Sequence, residues 1–178
     1  GNIQAPIISG NTMLGVPGST GSQGIRLLGL VTNAVITGNT ISNVDIVFRG
    51  QLWNGHVSTG TLLNNNTFNN FNSLQWDGST LLDATKNWWG TAVKSKIQAK
   101  IAGNVNFEPY YVNSTKTLLS STIPATTYIS PSFTDAYSYG HILGYDAFNK
   151  IQDGIDAVSQ TGTVNVWGGT YSENININ

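Results

Sequence analysis

At 178 residues the chain has room for one sizeable core, or one and a fraction. Only 10% of its residues are charged, where an ordinary soluble domain carries about a quarter, and a formal net charge of -1 without charge blocks gives no footprint for DNA, RNA or anionic lipid. There is no Cys, hence no disulfide framework, thiolate nucleophile or Cys-based zinc site to expect, and no apolar run approaches the roughly 18 residues of a spanning helix, so a soluble chain without membrane insertion is expected.

The gap left by charge is filled by Gly, Thr, Ser and above all Asn, the neutral, short residues of strands and turns. From its start the chain repeats itself. Ile7-Ile8-Ser9-Gly10-Asn11-Thr12-Met13 recurs as Val35-Ile36-Thr37-Gly38-Asn39-Thr40-Ile41, as Leu62-Leu63-Asn64-Asn65-Asn66-Thr67-Phe68 and, degraded, as Asp83-Ala84-Thr85-Lys86-Asn87-Trp88-Trp89, with the asparagines spaced by 28, 27 and 21 positions. A second register runs between these copies: Gly24 to Gly29, Asp45 to Gly50 and Ser73 to Gly78. In it Ile25 and Leu27, Ile46 and Phe48, and Leu74 and Trp76 alternate with variable positions, the period of a strand.

Two short strands per repeat, with no helix between them, cannot bury an apolar face alone and must stack on copies of themselves. The pattern predicts an all-β chain: a right-handed parallel β-helix, or β-solenoid, with short amphipathic capping helices. Stacking at about 4.8 Å places Asn11, Asn39, Asn66 and Asn87 one above another at a turn. There their amides can hydrogen-bond along the stack as a ladder, and Asn tolerates the left-handed backbone of a sharp corner. A plain turn-forming role for these asparagines is the alternative.

After Asn87-Trp88-Trp89-Gly90 the period changes. Val93, Ile97 and Ile101 fall at helical spacing among Lys94, Lys96 and Lys100, with Gly103 as a stop signal, which predicts a short helix over the last rung. Residues 103–112 then offer a short strand in which Pro109 blocks further pairing. Residues 1–112 are thus expected to be the C-terminal rungs and cap of a β-helix. Residues 113–133, Ser/Thr-rich with Pro124 and Pro131, read as a linker. A new unit is expected over 134–178. Asp146 serves as N-cap of a helix through about Ser159, with Phe148, Ile151, Ile155 and Val158 at helical spacing and Gly162 closing it. Thr163 to Trp167 follow as a strand, and Tyr171 to Ile177 begin another alternating one.

Phe148 to Val158, then Gly162 to Val166, then Gly169-Thr170-Tyr171-Ser172-Glu173-Asn174-Ile175 together resemble the opening of pectin-lyase-like parallel β-helix domains: a capping helix, a strand and a Gly-Thr-Tyr-x-Glu-Asn turn. Asn87-Trp88-Trp89-Gly90 is similar to the closing signature of such domains in large prokaryotic surface proteins of the NosD-like and carbohydrate-binding/sugar-hydrolase repeat type. The resemblance implies an extracellular or cell-surface location on a prokaryote. Here the ending signature precedes the starting one. Either the chain is one period of a longer tandem array, or its head segment crosses to a neighbouring subunit and completes the stack that begins at Gly1.

In both cases a junction is expected, with Gly1, Asn2 and Ile3 on one side and Tyr171, Ile175, Ile177 and Asn178 on the other. A β-helix cut across a rung exposes apolar core and backbone hydrogen-bonding groups there. A head-to-tail contact that does not close on itself gives a filament. The expected function is therefore an extracellular structural protein forming filaments or surface arrays, its partners copies of itself.

The resemblance implies a second function, a carbohydrate-active enzyme such as a polysaccharide lyase or glycosidase, which needs paired carboxylates, or a calcium-binding cluster plus a base. Of the acids before residue 125, Asp45, Asp77, Asp83 and Glu108, no two are neighbours in sequence. The second register sets Arg49 one rung from Asp77, which reads as a stacked ion pair. His56 and His141 lie far apart, with no triad partner at recognisable spacing. No catalytic residue, metal ligand or cofactor is assigned, and an enzyme is not expected. A third reading is a carbohydrate-binding face with surface glycans as partners, Trp53, Trp76, Trp88, Trp89 and Trp167 being its candidate platforms. Trp76 falls on an inward position and Trp88-Trp89 at the cap, where packing explains them. Two sequons, Asn65-Asn66-Thr67 and Asn113-Ser114-Thr115, mark Asn65 and Asn113 as candidate glycosylation sites.

Overall fold

The structure is a computed structural model and describes residues 2–177. It is a β-solenoid of about 4 turns built from parallel sheets, with two short helices. The first rung runs through β1 (Ile3–Gln4), β2 (Ile7–Ser9), β3 (Thr12–Leu14) and β4 (Gln23–Leu28), and the second through β5 (Val31–Thr32), β6 (Val35–Thr37) and β7 (Thr40–Gln51). The third has β8 (Leu62–Asn64) and β9 (Thr67–Trp76); the fourth has β10 (Leu82–Asp83), α1 (Lys94–Gln98) and β11 (Ile101–Gly103), and β12 (Val105–Asn106) follows on β10. Two five-stranded parallel sheets result, ordered β12-β10-β8-β6-β2 and β11-β9-β7-β3, with β4 also paired to β7, while β1 pairs β5.

Stacking in register makes columns of like side chains, each removing the next from water. Met13, Ile41 and Phe68 form one column, which Trp89 extends with its ring 5.1 Å from that of Phe68. Ile25, Phe48, Leu74 and Ile101 form another. In a third, glycines flank one large ring: Leu27, Gly50, Trp76 and Gly103 share a register, and a Cβ on Gly50, Gly78 or Gly103 would strike Trp76. The second register of the sequence is shifted at its middle copy. Phe48, rather than Ile46, stands beside Ile25 and Leu74, and toward β9 a β-bulge between Ile46 and Phe48 shifts the pairing. Arg49 consequently lies beside Arg26 and Gln75 instead of one rung from Asp77, and among the described residues neither Arg49 nor Asp77 is in an ion pair.

The corners depend on left-handed backbone. Gly10, Gly38, Asn65 and Lys86, each just before a repeated Asn, have φ of 68, 68, 53 and 54 degrees. Glycine and asparagine take this conformation readily, but a lysine Cβ crowds the following carbonyl.

Both helices are shorter than their periodicity predicts. α1 stops at Gln98 because Ile101–Gly103 is captured by the free edge of β9. The later helix, α2 (Ile151–Ala157), begins five residues after Asp146, since Ala147–Phe148 forms β14 on β13 (Thr126–Ile129). β13 lies inside the stretch that reads as a linker. It is the central strand of a three-stranded parallel sheet, β14-β13-β15, with β15 at Thr163–Val166, and its Thr127 and Ile129 are fully buried. Residues 168–177 carry no strand, contrary to the alternation read over Tyr171 to Ile177.

The second unit sits on the capped end of the first stack. Asp135 forms an ion pair with Lys96 and a hydrogen bond with Thr91, Gly144 lies against the Ala92–Val93 backbone, and Ile142 and Tyr145 pack on the main core. Replacing Lys86 by Gly should raise the unfolding free energy by about 0.5–1 kcal/mol by relieving the left-handed corner. Urea unfolding followed by circular dichroism reads the shift, and an unchanged midpoint would mean the corner is unstrained.

Candidate functional site: an asparagine ladder between two open ends

The four repeated asparagines form a continuous polar chain. The backbone N–H and Nδ2 of Asn11 both donate to Asn39 Oδ1, at 3.0 and 2.9 Å. Asn39 does the same to Asn66 Oδ1 at 2.9 and 3.0 Å, and Asn66 to Asn87 Oδ1 at 2.8 and 3.1 Å. Each Nδ2 also closes its own corner by donating to a backbone carbonyl, that of Ser9, Thr37, Asn64 or Ala84. The amides of Asn39, Asn66 and Asn87 further reach the carbonyls of Ile8, Ile36 and Leu63 on the preceding rung. These three asparagines are fully buried. Each satisfies groups that desolvation would otherwise penalise.

A second, exterior ladder escaped the sequence reading. Asn70 donates to Asn43 Oδ1 at 2.7 Å, and Asn72 donates to Asp45 Oδ1 at 2.9 Å. The Gly21 N–H binds the other carboxylate oxygen of Asp45, and these hydrogen bonds from Gly21 and then Asn72 hold the carboxyl below its usual pKa. The signal was present, because both pairs keep the 27-residue spacing of Asn39 and Asn66.

The cap closes one end of the stack. Buried Ile97 faces inward, and Lys100 donates to the Phe71 carbonyl with its ammonium 4.2 Å from the Phe71 ring centroid. Tyr110 donates to the Ala92 carbonyl, and burial, with the nearby Glu108 charge, pushes its hydroxyl pKa up to about 12. The opposite end is open. Ile3 is 56% exposed while Val31, its partner one rung on, is 3% exposed, and Ile8 and Met13 are only half-buried although Ile36 and Ile41 beside them are fully so. β2 and β3 are terminal strands of their sheets.

The second unit also ends on a terminal strand, β15, where Val166 is 47% exposed. Beyond it Tyr171 is anchored through its hydroxyl to the carbonyls of Trp167 and Ile129, whereas Ile175 and Ile177 are 47% and 79% exposed. Glu173 accepts the N–H groups of Ile151 and Gln152, at 2.8 and 3.0 Å, and these backbone hydrogen bonds hold its carboxyl below the usual range. Of the residues expected at the junction, Asn2, Ile3, Tyr171, Ile175 and Ile177 thus lie at these two ends, while Gly1 and Asn178 fall outside the described residues.

The other candidates disperse. Trp76 and Trp89 are core residues, Trp88 and Trp167 are half-buried, and Trp53 stands on an exposed hairpin closed by mutual backbone hydrogen bonds with His56. His141, without a partner in the sequence reading, has its Nδ1 3.3 Å from Asp146 and its ring stacked on Tyr128. Glu108 is engaged by Lys94 at 2.8 Å. Asn65 is an exposed corner residue whose carbonyl accepts from Lys116, and Asn113 uses its amide to staple its own loop at Thr117. Among the described residues no group of three His, Cys, Asp or Glu side chains could hold a metal ion, and no helix is long and apolar enough to cross a membrane.

The class defined by these features is a β-solenoid with an internal amide ladder. Set against known protein families, curated proteins and solved structures, the chain matches none. Replacing Asn66 by Leu should fill the space yet leave the Asn39 N–H without its acceptor in the core, lowering stability by about 2 kcal/mol or more. Chemical denaturation of the variant measures this, and a loss below about 1 kcal/mol would reduce the ladder to a by-product of turn geometry.

Proposed function

We propose that the chain is an extracellular structural subunit whose two open ends complete one another, head to tail, in filaments or arrays at a prokaryotic surface. One observation carries the reading: an apolar first rung with unpaired strand edges stands at one end of the chain, and a parallel strand with a free edge and exposed Val166, Ile175 and Ile177 stands at the other. Unpaired edges and exposed core side chains are the standing liability of an open sheet, and a parallel strand of the same direction is the cover that fits. The first stack runs from low to high residue number and β15 is the last strand of the second unit's sheet, parallel to β13, so β15 of one copy can precede β1 of the next without reversing direction. The same joint forms whether the two units belong to one longer chain or to separate chains. The pectin-lyase-like opening and closing motifs support it, since they mark a solenoid start and a solenoid end in that order.

Neutral ladders suit such an assembly. Stacked amides and hydroxyls reward each added rung, whereas a repeated charge would repel along the axis. The purified chain should assemble above a threshold concentration into unbranched filaments visible by negative-stain microscopy, with protease resistance far above that of the dilute monomer. A protein that remains monomeric at millimolar concentration, with no filaments, would overturn the reading.

A second reading rests on Trp53. Its exposed ring borders a groove of about 570 Å³ lined also by Leu28, Asn54 and His56, an arrangement of flat apolar face and polar edges that suits a sugar ring. Titrating polysaccharides while following tryptophan fluorescence should then give a saturable change that Trp53→Ala abolishes. A flat response across neutral and acidic glycans would dismiss this carbohydrate-binding role.

A further inference from the structure

The asparagine ladder is polar. Asn11, Asn39 and Asn66 each donate to the asparagine of the next rung, and Asn39, Asn66 and Asn87 each accept from that of the rung before, so the ladder begins on one unused acceptor. That acceptor is Asn11 Oδ1, which is exposed and, among the described residues, reached by no donor.

We infer that Asn174 of one copy is the donor to Asn11 Oδ1 of the next, so that this pair sets the register and polarity of the joint; the inference rests on the head-to-tail assembly proposed above. Three recurring offsets single out Asn174. Eight residues before the first two ladder asparagines stands an inward apolar residue in a corner strand, Ile3 before Asn11 and Val31 before Asn39, where Asn66 has Ser58, and Val166 is eight before Asn174. Six residues before the first three stands the left-handed corner, Ala5, Asn33 and Gly60 with φ of 48, 54 and 62 degrees; six before Asn174 stands Gly168, whose own φ is not left-handed but which lacks the Cβ that would oppose the turn on joining. Three residues before stands the inward residue of the second face, Ile8, Ile36 and Leu63, and Tyr171 is three before Asn174.

The alternative tail amide, Asn176, has Gly168, Thr170 and Glu173 at these offsets, and its backbone N–H and carbonyl are already bonded to Gln152. Asn174 is exposed, and among the described residues its N–H and amide have no acceptor. Glu173 departs from the glycine or asparagine that precedes most ladder members, and its carboxylate is taken up by α2, which fixes the segment beside Asn174. Val166 already stacks on Ile129 through the β13–β15 register. Continuing that stack by one rung brings Val166 over Ile3, Tyr171 over Ile8 and Asn174 over Asn11 of the incoming copy. A shift of one residue would turn these side chains to the wrong face and break all three matches.

The test uses the full chain and two single variants, Asn11→Ala and Asn174→Ala, each first shown by circular dichroism to melt like the wild type. Each should raise the threshold concentration for assembly at least about tenfold, the effect of losing one buried pair of amide hydrogen bonds. Mixed at equal concentration, the two should form a one-to-one dimer by sedimentation velocity, because each retains the half of the pair that the other lacks. Wild-type assembly with unchanged thresholds for both variants overturns the Asn11–Asn174 pairing while leaving head-to-tail assembly intact. Variants that fail singly and yield no dimer on mixing also overturn the pairing. A wild type that never assembles overturns this inference together with the function it rests on.

Discussion

Each rung of this protein is insulated by its neighbours and by little else. A strand of three residues buries nothing alone, and Ile36, Leu63 and Phe68 are fully buried because another rung lies on either side. The same dependence governs the polar groups: the corner asparagines are tolerable in the core because the rung before supplies a donor and the rung after an acceptor. Stability in such a stack is a sum over contacts between successive layers, and a layer with one free face is worth less than an interior one. The cap helix, the aromatic cluster of Phe68, Phe71 and Trp89, and the docking of the second unit all serve one of the two faces.

Much of this was legible in the chain. The repeat around Asn11, Asn39, Asn66 and Asn87 carries both its strand pattern and its corner, because one short motif encodes an inward residue, a left-handed turn and a ladder amide. Boundaries were less legible for a definite reason. Ile101 and Ala147 lie in windows of helical periodicity, yet each belongs to a strand captured by a sheet edge, and edge capture depends on residues far away in the sequence. The linker reading of residues 113–133 failed similarly, since the Ser/Thr composition of a loop is also that of a strand such as Thr126–Ile129 when another strand lies on each side. The bulge at Val47 defeated the second register because one extra residue leaves composition intact while shifting every pairing beyond it.

The site was legible only in part. The ladder members were found from spacing, but the ladder's direction was not, because direction is a property of which amide atom faces which rung. Asn43, Asn70, Asp45 and Asn72 were hidden by their position on the outer face, where apolar periodicity gives no cue. The pairing of His141 with Asp146 arises from a loop folding back on Tyr128 and has no counterpart in a motif.

The nesting of Trp76 among glycines has an implication for how such a chain can change over generations. Its indole occupies the room that Gly50 and Gly78 leave vacant, and its Nε1 is committed to the Thr80 carbonyl. No single step away from this arrangement is neutral: enlarging a glycine evicts the ring, and shrinking the ring hollows the layer. Lineages drifting from it must exchange the three positions in concert, so large and small residues here should swap places together rather than one at a time.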